Sequence, residues 1–263
     1  MRRTPVTARA IVYRAVTRDD AVDAARAIGS QRYPEASLLF AAGSIVRGDA
    51  TPHSDLDLVV VYPSVVAAYR ESFVFERLPV EAFVHDPETL HYFFVEVDRR
   101  SGVPSLPQMV AEGVEIPGPT DLSASLKRLA ASILADGPPP LTQDDERKLR
   151  YVVTDLVDDI RAPRTPDELT ASGGRLLEEL ANYVLRARGQ WSARGKSIPR
   201  ALAAADRDLA TRYSGAFADL FERHDPRGVV GLAEDLLSPA GGFLFDGYRS
   251  DAPPEWRRRA EAL

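Results

Sequence analysis

Two aspartates separated by one residue, Asp55 and Asp57, are the side chains best suited to chemistry in this sequence. The apolar run that follows them predicts a buried strand over 55–62. Because side chains alternate along a strand, both carboxylates are expected on the same face. Carboxylates held so close repel each other and call for a compensating cation. The pattern therefore predicts a divalent metal site, and Mg²⁺ is the hard ion that binds through carboxylates and substrate phosphates.

A third acid, Glu81, lies among apolar residues in Pro79-Val-Glu-Ala-Phe-Val84, which predicts a second strand. If this strand is a neighbour of the first, Glu81 joins the two aspartates, and three carboxylates can serve two metal ions. A register error of one residue would replace Glu81 by one of the nearby acids, Glu76 or Asp86. Taken alone, the aspartate pair could also be an ordinary solvated strand end. The surrounding pattern favours the metal site.

Upstream of the aspartates, Gly43 and Ser44 follow an apolar run and precede a short predicted helix. Such a turn exposes backbone N–H groups to phosphate oxygens, glycine permits close approach, and the serine adds a hydroxyl. Arg47 could add a positive charge beside the phosphates, or it could pair with Asp49 on the surface. The chain contains neither G-x-x-x-x-G-K-S/T nor G-x-G-x-x-G, so this is not a P-loop or a dinucleotide fingerprint. His53 could contact a phosphate, but a histidine in a loop is more often simply exposed.

The pattern Gly43-Ser-x-x-Arg47-Gly48, followed by Ser54-Asp-x-Asp-Leu58 and Glu81, resembles the DNA-polymerase-β-type nucleotidyltransferase superfamily over the first half of the chain. The resemblance implies transfer of a nucleoside monophosphate, usually AMP from ATP, to a hydroxyl with release of pyrophosphate. Ser44 would hold the triphosphate, and Asp55 and Asp57 would bind Mg²⁺. Glu81 would be either a further metal ligand or the base that deprotonates the acceptor.

Within that superfamily, a nucleotidyltransferase domain followed by helices resembles the aminoglycoside nucleotidyltransferases, such as the kanamycin and streptomycin/spectinomycin enzymes. This likeness implies a small hydroxyl acceptor, and it makes Lys196 a candidate contact of the triphosphate. Trp191 is more typical of packing between helices. Acidic residues of the helical half could form a wall for a cationic sugar, but such positions usually form the solvated face of a helix. They are Asp155, Asp158, Asp159, Glu178 and Glu179.

Other acceptors and other functions remain open at this stage. A protein side chain or an RNA could be the acceptor, or the chain could be a non-catalytic nucleotide-binding regulatory module. The net charge of −6 and the pI near 5.4 make nucleic acid the less favoured partner, because nucleic-acid binders neutralise phosphates with basic residues. Oligomeric state has no signal in the sequence.

Composition excludes several other classes of protein. With 44% hydrophobic and 27% charged residues the chain is typical of a globular protein. It contains no cysteine, so disulfides, thiolate metal sites and cysteine nucleophiles are ruled out. No apolar run approaches the length of a membrane span, and the basic start lacks an apolar segment after it. We therefore expect a cytoplasmic protein with no membrane partner.

The predicted elements give an α+β domain with a mixed sheet and flanking helices, followed by an all-α bundle. A helix over 17–28 begins with a capping box at Thr17 and is expected to end at Gly29. A hairpin pairs 72–75 with 80–84. The Pro-rich stretch 137–141 is the expected linker between a domain at 1–136 and a helical domain at 142–263. The remaining predictions are strands at 36–42 and 114–116 and helices at 87–100, 121–134, 142–161, 167–188, 198–223 and 227–237.

Overall fold

The computed structural model describes residues 16–257 of the chain. It divides into two compact units, Met1–Gly137 and Pro138–Leu263. The first unit contains a five-stranded mixed sheet with helices, and in the described part of the second unit every regular element is helical. The predicted fold class, an α+β region followed by a helical region, is confirmed. None of the described helices is both long and apolar enough to cross a membrane.

The sheet of the first unit has the order β3-β4-β2-β1-β5. Strands β2 and β4 are parallel, whereas the other neighbouring pairs are antiparallel. Two parallel neighbours begin at the same edge of the sheet, so residues near the starts of β2 and β4 lie side by side. The strands are β1 Leu38–Ala42, β2 Leu56–Val61, β3 Tyr69–Phe75, β4 Leu78–His85 and β5 Val114–Ile116.

Among the residues described in the first unit, six helices and one π-helical segment accompany this sheet. The π-helical segment, Phe93–Asp98, joins α3 to α4, so the helix predicted over 87–100 is present but contains an irregular turn. Helix α5 was not predicted from the sequence. Pro104 is its N-cap and Pro107 lies in its first turn, where a proline loses no helical hydrogen bond. The helices are α1 Arg18–Arg32, α2 Gly43–Arg47, α3 Pro87–Tyr92, α4 Arg99–Ser101, α5 Ser105–Glu112 and α6 Asp121–Asp136.

Helix α1 begins as the sequence predicts but ends later. The Thr17 hydroxyl accepts from the Asp20 N–H at 3.2 Å, and the Asp20 carboxylate accepts from the Thr17 N–H at 3.0 Å. The predicted end at Gly29 is wrong, because the helix continues for three further residues to Arg32. A Cβ at Gly29 would be 3.5 Å from Leu39, so the glycine packs closely against β1. This packing against the sheet outweighs the low helix propensity of glycine, which is about 1 kcal/mol below alanine.

The predicted hairpin is present with longer strands and a shorter turn. Only Glu76 and Arg77 connect β3 to β4, and both have positive φ, at 47° and 75°. Positive φ at both central residues is the geometry of a two-residue hairpin turn that matches the twist of the strands. Pro79 lies in β4 directly opposite Val74. The prediction stopped β4 short because proline was read as part of the turn.

Both faces of the central strands are buried, in agreement with their continuous apolar sequence. On one face, Leu58 of β2 and Ala82 of β4 pack with Ala25 and Ile28 of α1 in one hydrophobic cluster. The opposite face carries Phe40 and Val59, which are directly paired and have no exposed surface. Asp57, Glu81 and Phe83 belong to this second face by alternation.

His85 at the end of β4 is a buried histidine whose burial lowers its pKa to about 4. Its ring contacts Phe93 edge-on with centroids 4.9 Å apart, and among the described residues its Nδ1 has no hydrogen-bond partner. The unfolded chain therefore binds a proton at His85 near pH 6.5, while the folded protein does not until about pH 4. This difference is a source of stability that is present at neutral pH and lost as the pH falls between these values.

We expect His85→Phe to lessen the loss of stability on acidification. In the wild type, protonation of His85 should remove up to about 3 kcal/mol from the free energy of unfolding between pH 7 and pH 4, since each pKa unit is about 1.4 kcal/mol. Urea unfolding at pH 7.5, 6.0 and 4.5 measures the difference between the two proteins. An identical decline in wild type and variant would contradict this assignment.

The described helices of the second unit form their own hydrophobic core. One helix predicted over 198–223 is in fact two, because Asp206 interrupts it with an extended backbone and caps α10 by accepting from the Leu209 N–H at 3.0 Å. The segment after α11 is bound to α7: Thr154 Oγ1 accepts from the Leu244 N–H at 2.9 Å. Of the final arginines at 257–259, only the first lies within the described residues. The helices are α7 Gln143–Arg161, α8 Pro166–Ala187, α9 Ile198–Ala205, α10 Arg207–Arg223 and α11 Arg227–Leu237.

Candidate active site

Asp55, Asp57 and Glu81 lie together at the edge of the sheet where β2 and β4 begin. Asp57 is directly opposite Glu81 in the parallel pair, and Asp55 immediately precedes β2. Each of the three carboxylates offers an oxygen, and these oxygens lie within 4.8 Å of one another. All three side chains are half-buried. The structure therefore brings together the three acids that the sequence singles out.

The chemistry of this cluster fits a hard divalent cation. Its donors are carboxylate oxygens, which Mg²⁺ prefers, and converging carboxylates are stabilised by a cation between them. The other acids considered for the third position lie elsewhere. Glu76 is in the hairpin turn, and Asp86 caps α3 by accepting from the Thr89 N–H at 2.8 Å. Hydrogen bonds from Thr89 and Val65 lower the pKa of Asp86.

Gly43 is in direct contact with the carboxylate of Asp57. It is the first residue of α2 and has a φ of +85°, in the region that favours glycine. A Cβ built on this residue would lie only 2.1 Å from Asp57 Oδ2. The Asp57 carboxylate can therefore occupy its position only because residue 43 has no side chain.

Ser44 is held by Ser54, a residue of the motif for which no separate role was predicted. The Ser44 hydroxyl donates to Ser54 Oγ at 2.9 Å, and Ser54 Oγ also accepts from the Thr51 N–H at 2.9 Å. Ser54 is buried, so this contact ties the start of α2 to the loop that leads into β2. Its position immediately before Asp55 was the available signal. A contact of Ser44 with the triphosphate remains a prediction.

Arg47 and Lys196, the two basic residues predicted to contact the triphosphate, lie in different surroundings. The Arg47 guanidinium lies 3.6 Å from Asp49 and 3.5 Å from Glu112, so two surface acids accompany it. Lys196 is exposed in a short 3₁₀ turn, Gly195–Ser197, of the second unit. Phosphate binding by either residue remains a prediction.

The remaining candidates have ordinary structural settings. His53 lies exposed in the loop before β2, and Trp191 is partly buried. Among the acids considered as an acceptor wall, Asp158 pairs with Arg161 at 2.6 Å, and Glu178 accepts from the Gly195 N–H at 3.2 Å. These contacts are typical of helix surfaces and caps, and the wall remains a prediction.

Arg70 is a further residue of the site, and it was not predicted from the sequence. Its guanidinium donates to Glu81 Oε1, and the Ser72 hydroxyl lies 3.5 Å from the same oxygen. The predicted strand began at Ser72, which left Arg70 outside the sheet. In the structure β3 begins at Tyr69, so alternation places Arg70 and Ser72 on the face that carries Glu81.

Comparison with known proteins points to the part of the chain that contains the three acids. Residues 23–98 match the family profile of the nucleotidyltransferase domain, a range that contains Gly43 and all three clustered acids. No curated protein matches the chain significantly. A solved nucleotidyltransferase-like protein from Exiguobacterium sibiricum aligns with 83% of this chain and 74% of its own, at 16% identity and a TM-score of 0.41. The profile match therefore makes residues 23–98 of the first unit similar to a nucleotidyltransferase domain, a family of the DNA-polymerase-β-like superfamily.

Proposed function

We propose that the protein is a metal-dependent nucleotidyltransferase that transfers a nucleoside monophosphate, AMP from ATP, to a hydroxyl of a small amino-sugar. The observation that carries the proposal is the cluster of Asp55, Asp57 and Glu81 beside Gly43 within the matched domain. The domain supports nucleotide transfer in general. The nucleotide, the metal and the acceptor are the proposed parts.

The reaction requires the acceptor oxygen to bond to the α-phosphorus while the bond from this phosphorus to the pyrophosphate oxygen breaks. The hydroxyl proton is lost to a base or to solvent. In the proposed site, Asp55, Asp57 and Glu81 would hold Mg²⁺, and the turn at Gly43 and Ser44 would hold the phosphates. Bound Mg²⁺ would neutralise charge on the leaving pyrophosphate and make the attacking hydroxyl more acidic.

A small cationic acceptor is supported by charge. The chain has a net charge of −6, which attracts amino-sugars and disfavours a polyanionic acceptor such as RNA. The likeness in layout to the aminoglycoside nucleotidyltransferases points to the same acceptor class.

The experiment combines the protein, Mg²⁺ and each of the four ribonucleoside triphosphates with a panel of aminoglycosides and simpler amino-sugars. Pyrophosphate release is followed together with the mass of the acceptor, which should increase by one nucleoside monophosphate. The matched control is an acceptor of the panel whose reacting hydroxyl has been replaced by hydrogen. We expect product with at least one acceptor and none with its deoxy form.

Three results would redirect the proposal. A labelled protein band or labelled RNA after incubation of cell lysate with α-labelled ATP, without small-molecule product, would indicate a macromolecular acceptor. Nucleotide binding that is independent of Mg²⁺, without any product, would indicate a non-catalytic binding module. Absence of product together with absence of triphosphate binding would overturn the proposal.

A further inference from the structure

The edge strand β3 carries two arginine–glutamate pairs on opposite faces of the sheet. On the face that packs against α1, Arg32 binds Glu71 at 2.5 Å and lies 4.3 Å from the centroid of the Phe73 ring. On the face of the acid cluster, Arg70 binds Glu81 and lies 5.0 Å from the centroid of the Phe83 ring. The two pairs have the same chemistry, but only the second involves a residue of the candidate active site.

The contact between Arg70 and Glu81 follows from the register of the hairpin. Ser72 is directly opposite Glu81, and Arg70 is opposite Phe83, so the arginine reaches diagonally across one pair to the carboxylate. Arg70 and Ser72 approach the same oxygen, Oε1. A carboxylate has a second oxygen with its own lone pairs, through which Glu81 can still take part in the cluster.

The burial of the two partners is unequal. The Glu81 side chain is 18% exposed, whereas that of Arg70 is 60% exposed. The carboxylate is fixed within the sheet, and the guanidinium approaches it from the solvent side on a long, flexible stem. An exposed ion pair of this kind contributes little to stability, so Arg70 can leave Glu81 at a small cost.

We propose that Arg70 is a built-in counter-ion of the acid cluster that competes with the divalent cation for Glu81 and so weakens metal binding by the free protein. This inference rests on the metal site of the proposed function. The positive charge of Arg70 offsets part of the repulsion among the three carboxylates when no metal is bound. Arg70 also repels a divalent cation that approaches the Glu81 carboxylate, so removal of the arginine charge strengthens metal binding.

Loss of positioning is the opposing effect, and the geometry makes it the smaller one. Glu81 lies in the middle of β4 between two hydrogen-bonded strands, and Ser72 remains beside it in an Arg70 variant. The orientation of Glu81 therefore depends mainly on the sheet, whereas the charge beside it depends on Arg70. The net result of removing Arg70 is tighter metal binding.

The test is Mn²⁺ binding to the full chain without nucleotide, measured by electron paramagnetic resonance at constant pH and ionic strength. We expect Arg70→Gln to bind Mn²⁺ about 2- to 5-fold more tightly than the wild type, the range expected for a partly exposed charge pair. Arg70→Met, which keeps an unbranched chain over Phe83, should give the same change, and Arg70→Lys should remain close to the wild type. Arg32→Gln, the matched variant on the opposite face, should leave Mn²⁺ binding unchanged.

The outcomes separate this inference from the proposed function. Unchanged or weaker Mn²⁺ binding in both uncharged Arg70 variants, with binding lost in Asp57→Asn, would overturn the role of Arg70 and leave the metal site intact. Failure of the wild type and of every Arg70 variant to bind Mn²⁺ would overturn both. Mn²⁺ binding by both uncharged Arg70 variants, with none detected in the wild type, would support the competition in its strongest form.

Discussion

Asp57→Asn is expected to lower kcat/KM for nucleotide transfer by about 10³-fold or more. The substitution keeps the shape of the side chain and removes the negative charge at the centre of the cluster, between Ala42 of β1 and Glu81 of β4. Stabilisation by a bound metal ion is worth several kcal/mol, and each 1.4 kcal/mol or so of lost transition-state stabilisation is about a tenfold loss of rate. Steady-state pyrophosphate release measures the change, and Mn²⁺ titration of the same variant shows whether metal binding is lost with it.

Glu115→Gln is the matched control for this experiment. Glu115 is an acid of β5 with the same 18% side-chain exposure as Glu81, and it pairs with Lys127 at 3.2 Å outside the cluster. Loss of this surface pair should change stability by less than about 1 kcal/mol and leave kcat/KM within about twofold. Equal activity of Asp57→Asn and the wild type would exclude a catalytic role for the cluster.

The sequence predicted which residues form the site better than it predicted how they are arranged. Strand alternation was sufficient to place Asp55 and Asp57 on one face, because it depends only on neighbours in the chain. The position of Glu81 opposite Asp57 depends on a parallel pairing of β2 with β4, and the whole of β3 lies between them in sequence. Local patterns contain no such register. The Glu81 prediction therefore depended on its apolar neighbours and on the assumption that the two strands are adjacent, and the contact of Arg70 with Glu81 was missed.

The same distinction applies to the fold. The starts of helices were predicted because capping is local: Thr17 and Asp20 satisfy each other's backbone groups within one turn. The end of α1 was predicted wrongly because it depends on packing: Gly29 stays helical where it packs against Leu39, so a tertiary contact decides against local propensity. The break at Asp206 was missed for another reason. Its cap is local, but the surrounding pattern was apolar enough to be continuous.

Gly43→Ala is expected to inactivate the protein while leaving it folded. The new methyl group would lie 2.1 Å from Asp57 Oδ2, 3.0 Å from Cγ and 3.2 Å from Cβ. The carboxylate is the mobile end of its side chain, so the clash is relieved when Asp57 rotates away from the cluster. Mn²⁺ binding and kcat/KM should fall together, with kcat/KM about 10²-fold lower or more, because an error of about 1 Å in a reacting group can have this effect.

Gly48→Ala separates this clash from backbone strain. Gly48 has nearly the same φ as Gly43, +82° against +85°, but its added Cβ would meet no atom within 4 Å. Both variants should lose about 1–2 kcal/mol of unfolding free energy, since alanine disfavours the left-handed region. Only Gly43→Ala should also lose metal binding. If Gly48→Ala reduces Mn²⁺ affinity and activity as strongly as Gly43→Ala, strain in α2 is the cause, and the contact of Gly43 with Asp57 does not determine the position of the carboxylate.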